Sequence, residues 1–351
     1  MSRRNRSEKP LSQTPVPAFL VNKVRSPLAV VLGSPAEVTH VLEALPGVEA
    51  TCYQMDLFQA HRLEGELAEA GLKARVVAAA DPWDLPTGFQ TVLYLPARKG
   101  ERELKIDMVD QSYHLLRDGG VFLVWSAEVS EPFFPNLLKK VFGKVHHAPQ
   151  VSGETESVLW AAREGDRPRR RHEITFQVKI GDRPSCRFLS RPGTFSYGRF
   201  DMGSRALCEV MQVEPGDRVL DLGCGVGTNG VFAAQLADAH GYIAFVDSNT
   251  RAIALAAHNA QANGVARYET FATSTVEGPE EDSFDVVLAN PPYFANSSIA
   301  HLFIRRAKRL LTPQGRFFMV TRQPAEVGEV LLKTFEEATA VENRGYTILC
   351  A

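Results

Sequence analysis

No apolar run in this 351-residue chain approaches the roughly twenty residues that a membrane-spanning helix requires, so the helical membrane class is excluded. Cysteine is scarce. Cys52, Cys186, Cys208, Cys224 and Cys350 form no C-x-x-C pair and no zinc-ligand spacing. That pattern excludes a disulfide scaffold and fits reduced thiols in a cytoplasmic protein. His146-His147 has no third ligand at suitable spacing, so no metal site is expected. Adjacent residues also point to different sides of a strand or helix. The first residues carry Arg3, Arg4, Arg6 and Lys9 but no apolar stretch behind them, which excludes a secretory signal. Residues 1–17 are expected to be a disordered basic tail. A net charge of −2 removes the overall basic excess of many nucleic-acid binders.

What the chain does contain is concentrated near residue 290. The apolar run Val286-Val287-Leu288-Ala289 ends in Asn290-Pro291-Pro292-Tyr293. Asn290 offers a side-chain carbonyl, and Pro291 a main-chain carbonyl without an N–H of its own. Both can accept from one planar NH2 group. Tyr293 adds a flat face on which a base can stack. This set suits methyl transfer to an amine conjugated with a ring or a carbonyl.

Upstream, Val219-Leu220-Asp221-Leu222 runs into Gly223-Cys224-Gly225-Val226-Gly227, and an apolar helical stretch follows from Gly230. Glycines allow a tight turn and close approach of backbone to a ligand. A second strand, Tyr242 to Val246, ends at Asp247 and Ser248. An acid there can take both ribose hydroxyls of an adenosine cofactor. Gly225 to Gly230 also fits the dinucleotide fingerprint, so this segment alone is shared by two cofactor classes. Asp221 favours S-adenosylmethionine over a nicotinamide dinucleotide, because a carboxylate repels a pyrophosphate and suits a cationic methionine end.

Residues from about Ile174 onward resemble the catalytic domain of the two-domain bacterial ribosomal RNA guanine-N2 methyltransferases. The resemblance rests on Arg191-Pro192-Gly193-Thr194-Phe195-Ser196, Asp201-Met202-Gly203-Ser204, the Asp221 glycine loop, Asp247 and Asn290-Pro291-Pro292-Tyr293. It implies two tandem Rossmann-like α/β methyltransferase domains, the N-terminal one degenerate and the C-terminal one catalytic. The implied cofactor is S-adenosylmethionine, with Asp201, Ser204, Asp221, Gly223, Gly225, Gly227, Asp247, Ser248, Thr273 and Asn290 around it. Asn290, Pro291, Pro292 and Tyr293 carry the chemistry. Phe195, Ser196, Tyr293, Arg305 and Arg306 face the substrate. The implied partner is ribosomal RNA or a ribosomal subunit, met by a monomer. Family members commonly continue the tetrapeptide with His-x-Gly, whereas here Phe294-Ala295-Asn296 follows. That departure leaves the target nucleotide open.

Four segments are expected: the tail at 1–17, a degenerate domain at 18–162, a basic linker at 163–173 and the catalytic domain at 174–351. In the first half, strands are expected over Leu28–Gly33, Arg75–Ala79, Thr91–Leu95 and Val121–Trp125, with helices over Ala36–Leu45 and Glu103–Leu116. Alternating strands and helices imply an open, mainly parallel sheet. No glycine cluster follows Val31, and Tyr94-Leu95-Pro96-Ala97 stands where a second Asn-Pro-Pro-Tyr would. No catalysis is expected there. The linker carries Arg163, Arg167, Arg169, Arg170 and Arg171, and a helix over Ser298–Leu311 carries Arg305, Arg306, Lys308 and Arg309. Both clusters are candidate phosphate contacts.

Three other functions fit parts of this pattern. The tetrapeptide also suits adenine N6 or a protein glutamine as acceptor. A non-catalytic RNA-binding assembly factor could retain the fold. The glycine loop alone fits a nicotinamide-dependent oxidoreductase.

Overall fold

The computed structural model describes residues 10–126, 132–149, 157–292 and 298–351. The chain divides into two compact units, Met1–His172 and Glu173–Ala351.

The first unit contains strands β1 (Leu28–Val31), β2 (Ala50–Gln54), β3 (Arg75–Ala78), β4 (Phe89–Tyr94), β5 (Leu116–Ser126), β6 (His146–His147) and β7 (Ser157–Ala162). Its helices are α1 (Ala18–Lys23), α2 (Pro35–Glu43), α3 (Leu57–Glu69), α4 (Arg102–Tyr113) and α5 (Phe133–Phe142). The sheet order is β3-β2-β1-β4-β5-β7-β6. β7 is antiparallel to both of its neighbours.

The second unit opens with a hairpin, β8 (Ile174–Val178) and β9 (Cys186–Ser190). It continues with α6 (Met202–Val210), β10 (Arg218–Leu222), α7 (Thr228–Ala237), β11 (Tyr242–Asp247), α8 (Thr250–Ala262), β12 (Tyr268–Ala272) and β13 (Phe284–Ala289). It ends with α9 (Ser298–Leu310), β14 (Leu311–Thr321), α10 (Pro324–Thr334), β15 (Thr339–Asn343) and β16 (Tyr346–Cys350). The sheet order, β12-β11-β10-β13-β14-β16-β15, repeats that of the first unit strand for strand.

Sheets covered on both faces need strands that are apolar throughout, and alternate residues must serve opposite layers. In β10, Val219 joins the core beneath α7 and α8, while Leu220 and Leu222 join the core beneath α9 and α10. Phe245 and Leu288 follow Val219, and Val246 and Ala289 follow Leu222. The strand order reverses beside β10, which pairs in parallel with β11 on one side and β13 on the other. A crevice opens at the carboxyl ends of the strands at such a switch point. The glycine loop, Asp247 and Asn290 all stand at that edge.

The hairpin is docked by side-chain amides. Asn259 Oδ1 accepts from Leu189 N at 2.8 Å, and its Nδ2 donates to Leu189 O at 2.9 Å. Asn263 does the same for Arg187, at 2.9 and 2.8 Å. Four helical residues advance about 6 Å, close to the roughly 6.6 Å of two strand residues, so two asparagines four apart satisfy alternate positions of the free edge.

Several sequence expectations are corrected. Residues 10–17 of the expected tail are ordered: Leu11 packs into the first unit's core, and Thr14 O lies 2.7 Å from His40 Nε2. The segment 163–172, expected as linker, clusters with the first unit. Arg167 pairs with Asp110 at 3.0 Å and donates to Val141 O at 2.8 Å, and His172 Nε2 lies 2.7 Å from Asp110. The expectations omitted α1, β2, α3, α5, β6, β7 and β15. No helix among the described residues is long and apolar enough to cross a membrane.

Candidate active site

A cleft at the carboxyl edge of the second sheet is lined by Phe195, Ser196, Asp201, Ser204, Gly223, Gly225 and Asn290, all expected from the sequence. Arg199, Cys224, Val226, Thr228 and Asn229 complete it and were not expected. Asn290 directly follows β13, is 8% exposed, and is held from two sides. Its Nδ2 donates to Asp201 Oδ2 at 3.0 Å and to Ser204 Oγ at 2.9 Å. The same Asp201 oxygen accepts from Ser204 N at 2.8 Å and so caps α6. Asp201 and Ser204, expected beside the cofactor, thus grip the central asparagine. Pro291 is buried and Pro292 exposed. Tyr293 lies outside the described residues.

Asp221 is fully buried beneath the glycine turn. Its Oδ2 accepts from Gly230 N at 2.8 Å, while no hydrogen bond of good geometry reaches Oδ1. Burial pushes its carboxyl from 3.8 up to about 7; donation from Gly230 and Asn229 opposes this, and nearby Asp247 adds to it. Asp247 Oδ2 accepts from Gly225 N and its Oδ1 from Asn249 N, at 2.8 and 2.9 Å. The acid thus shapes the glycine turn and the start of α8. A carboxylate has about four acceptor positions, so these bonds are compatible with ribose binding.

The glycines divide by role. A Cβ on Gly223 would meet the Phe303 ring at 2.9 Å, and one on Gly227 would meet Ala256 at 3.1 Å. Both fit packing. Gly225 (φ +54°) has only Phe195 Cβ nearby, at 4.0 Å, so this is where a ligand can approach the turn. The Cys224 thiol is buried, and burial raises it well above the ordinary cysteine range, so it is not a reactive thiol.

The loop bearing Phe195 and Ser196 is anchored to the start of α8. Asn249 Nδ2 donates to Gly193 O at 2.8 Å, and Arg251, fully buried, donates to Pro192 O at 2.6 Å. Ser196 is left-handed (φ +59°), and Phe195 is 42% exposed beside the cleft. Residues held in sparsely populated backbone regions cluster at functional sites.

Other expected residues stand apart from the cleft wall. Ser248 is half-buried beside Asp247. Thr273 N donates to Asp247 O at 3.0 Å, but its hydroxyl accepts from Thr275 N and Glu277 N and closes its own turn. Arg306 pairs with Glu277 at 3.8 Å, and Arg309 pairs with Glu281. Arg305 is exposed on α9. Among the described residues no group of three His, Cys, Asp or Glu could hold a metal.

The first unit places different residues at the same stations. Leu222 pairs with Val246 and Ala289, and Val31 pairs with Tyr53 and Tyr94. Gly223 N donates to Val246 O as Leu32 N donates to Tyr53 O. By this register Val30 stands for Asp221, Gln54 for Asp247 and Leu95 for Asn290. Leu95 is fully buried, and a Cβ on Gly33 would meet it at 2.9 Å, so apolar packing fills the crevice.

Comparison with known proteins places these observations. The methyltransferase small domain model matches residues 185–350. Ribosomal RNA small subunit methyltransferase C of Chromohalobacter salexigens is 38% identical over 139 residues, covering 37% of this chain and 40% of that protein. The uncharacterized protein YbxB of Bacillus subtilis is 32% identical over 176 residues, covering 47% of this chain and 84% of that protein. Several curated small-subunit relatives are matched over less than half of their own length. The solved structure of the T. thermophilus 16S rRNA N2 G1207 methyltransferase, with AdoMet and guanosine, has a TM-score of 0.75 and 20% identity, covering 97% of this chain and 90% of that one. It shares the fold.

Proposed function

The chain belongs to the methyltransferase small domain family, in its two-domain form, and from that premise we propose that it methylates the exocyclic N2 of a guanine in ribosomal RNA with S-adenosylmethionine. The observation that carries this reading is Asn290, gripped through its Nδ2 by Asp201 and Ser204 beside the glycine loop. Names of relatives that methylate ribosomal RNA support the acceptor class. The nicotinamide-oxidoreductase reading falls with the family match.

The cleft residues fit the cofactor. Asp221 Oδ1 is a buried carboxyl oxygen that no hydrogen bond of good geometry reaches, and the open side of Gly225 leaves room for a ligand against the backbone. Asp221 would favour the cationic methionine end, and Asp247 the ribose. When bound, S-adenosylmethionine supplies an electrophilic methyl group on a sulfonium.

A guanine N2 lone pair is delocalised into the ring and attacks poorly. Asn290 Oδ1 and the Pro291 carbonyl would each accept one of its N–H bonds and favour a pyramidal nitrogen. Those bonds strengthen as positive charge grows on nitrogen, so they act more in the transition state than in the ground state. Alignment of the two reactants does much of the rest. Phe195 offers a flat face at the cleft, and Arg199 a cation at its wall for an RNA phosphate.

The test is methylation of ribosomal RNA purified from a strain lacking this protein, followed by nucleoside mass spectrometry. N2-methylguanosine is expected. N6-methyladenosine, or label confined to a protein glutamine, overturns the acceptor. A cofactor-binding protein without turnover leaves the assembly-factor reading.

A further inference from the structure

We propose that Asp201 and Ser204 are positioning residues that act through Asn290: they hold its amide in the one orientation that makes the cleft rim a hydrogen-bond acceptor. This deepens the methyl-transfer reading above and rests on it.

The two ends of an asparagine amide have nearly the same shape, so packing alone does not decide which faces a ligand. Neighbouring polar groups decide it. Asp201 Oδ2 lies 3.0 Å from Asn290 Nδ2, and an ionised carboxylate can only accept. Ser204 Oγ, on a 4% exposed residue, accepts from the same nitrogen at 2.9 Å. A flipped amide would set its carbonyl oxygen against the carboxylate. With Nδ2 committed, the amide's other polar atom is the carbonyl oxygen. An acceptor rim meets an exocyclic NH2; a donor rim would meet a base carbonyl instead. The orientation of this one amide therefore selects the exocyclic amine of a base over a carbonyl on the same ring.

The carboxylate is itself fixed. The Asp201 oxygen that takes Asn290 Nδ2 also takes Ser204 N at 2.8 Å, so the N-cap of α6 sets the height of the grip. Helix α6 is anchored in turn by Ala206, Leu207 and Cys208, all fully buried in the core beneath α7 and α8. A capping bond alone asks only for a short oxygen-bearing side chain at 201. Contact with Asn290, 89 residues away, asks in addition for the longer reach of aspartate.

That difference supplies the experiment. Asp201→Ser keeps a good N-cap but is one bond too short to reach Asn290. Ser204→Ala removes the second acceptor and leaves the cap to Asp201. Initial rates are measured with S-[methyl-3H]adenosylmethionine and ribosomal RNA from a strain lacking the protein, and S-adenosylhomocysteine affinity by titration calorimetry. Each variant is expected to lose about tenfold in kcat, the scale of one lost hydrogen bond to a charged or buried group. Affinity for S-adenosylhomocysteine should stay within about threefold, because the lost bond does not touch the cofactor. In an Asn290→Ala background, neither substitution should lower the rate further, since residues acting through one side chain are not additive.

Two results overturn the proposal. Loss of S-adenosylhomocysteine affinity in proportion to kcat makes the pair cofactor ligands. Losses that multiply in the Asn290→Ala background make them structural residues independent of that side chain. Should Asp201→Ser melt out, Ser204→Ala carries the same two comparisons. A wild-type protein that moves no label to guanine fails the methyl-transfer reading itself, a result separate from either of these.

Discussion

Asp221→Asn isolates the buried carboxyl beneath the glycine turn. Burial raises that group from 3.8 to about 7. At about 1.4 kcal/mol per unit, holding it ionised in the fold costs roughly 4 kcal/mol. The sign follows from proton counts: between those values the native state binds more protons than the unfolded chain, so stability falls as pH rises. The stabilisation is complete below about pH 4, is lost between about pH 4 and 7, and changes little above that. Asparagine does not titrate, and its amide oxygen can still accept from Gly230 N. The variant's melting-temperature advantage over wild type should therefore be about 5–10 °C larger at pH 8 than at pH 5, for a domain of this size. Cofactor binding should move the other way. Wild-type affinity for S-adenosylmethionine should rise from pH 6 to 8 as Asp221 ionises against a cation, whereas the variant should bind more weakly with a flat profile. Differential scanning calorimetry at the two pH values decides the first point. An equal melting-temperature difference at both would show that the carboxyl titrates normally and refute the argument.

Asn290→Ala should reduce kcat about hundredfold, the scale of one transition-state acceptor, and leave S-adenosylhomocysteine affinity within a few fold; equal loss of both would mark the residue as structural. Arg169 and Arg171 lie 5.4 and 5.8 Å from the Trp83 ring centroid, on a segment pinned by Arg167 and His172 to Asp110. Alanine at each should flatten the slope of log affinity for RNA against log salt by about 0.7–0.9, one phosphate contact apiece, and an unchanged slope would remove them from the interface. A Cβ on Gly230 would stand 2.4 Å from Phe245 Cε1, so Gly230→Ala should lower unfolding free energy by about 1–3 kcal/mol in urea titration. A smaller loss would mean that the ring moves aside.

The second unit was legible because its candidate site residues end uninterrupted apolar strands. Val219–Leu222 and Val286–Ala289 have no interior polar residue except Asp221, which made that acid conspicuous. The repeated sheet order in the first unit was legible only in outline. Strand β2 has its polar residues Thr51 and Gln54 three apart, and α5 carries Pro135 near its start, so neither gave a clean period. The edge strand β15 is mostly exposed and has no apolar face to announce it. Arginines 163 and 167 read as linker residues and candidate phosphate contacts; Tyr113 and Asp110, which bind them, lie far off in sequence. The grip of Asp201 and Ser204 on Asn290 was hidden for the same reason. A capping motif is a local pattern, and the second acceptor role of the same oxygen depends on a strand delivered from 89 residues away.

The most direct measurement is a crystal structure of this protein with S-adenosylhomocysteine and guanosine. The account predicts the cofactor in the cleft beside Gly225, its ribose at Asp247, and guanine N2 within about 3 Å of Asn290 Oδ1 and the Pro291 carbonyl. A cofactor bound outside that cleft, or a guanine whose N2 faces away from Asn290, contradicts it.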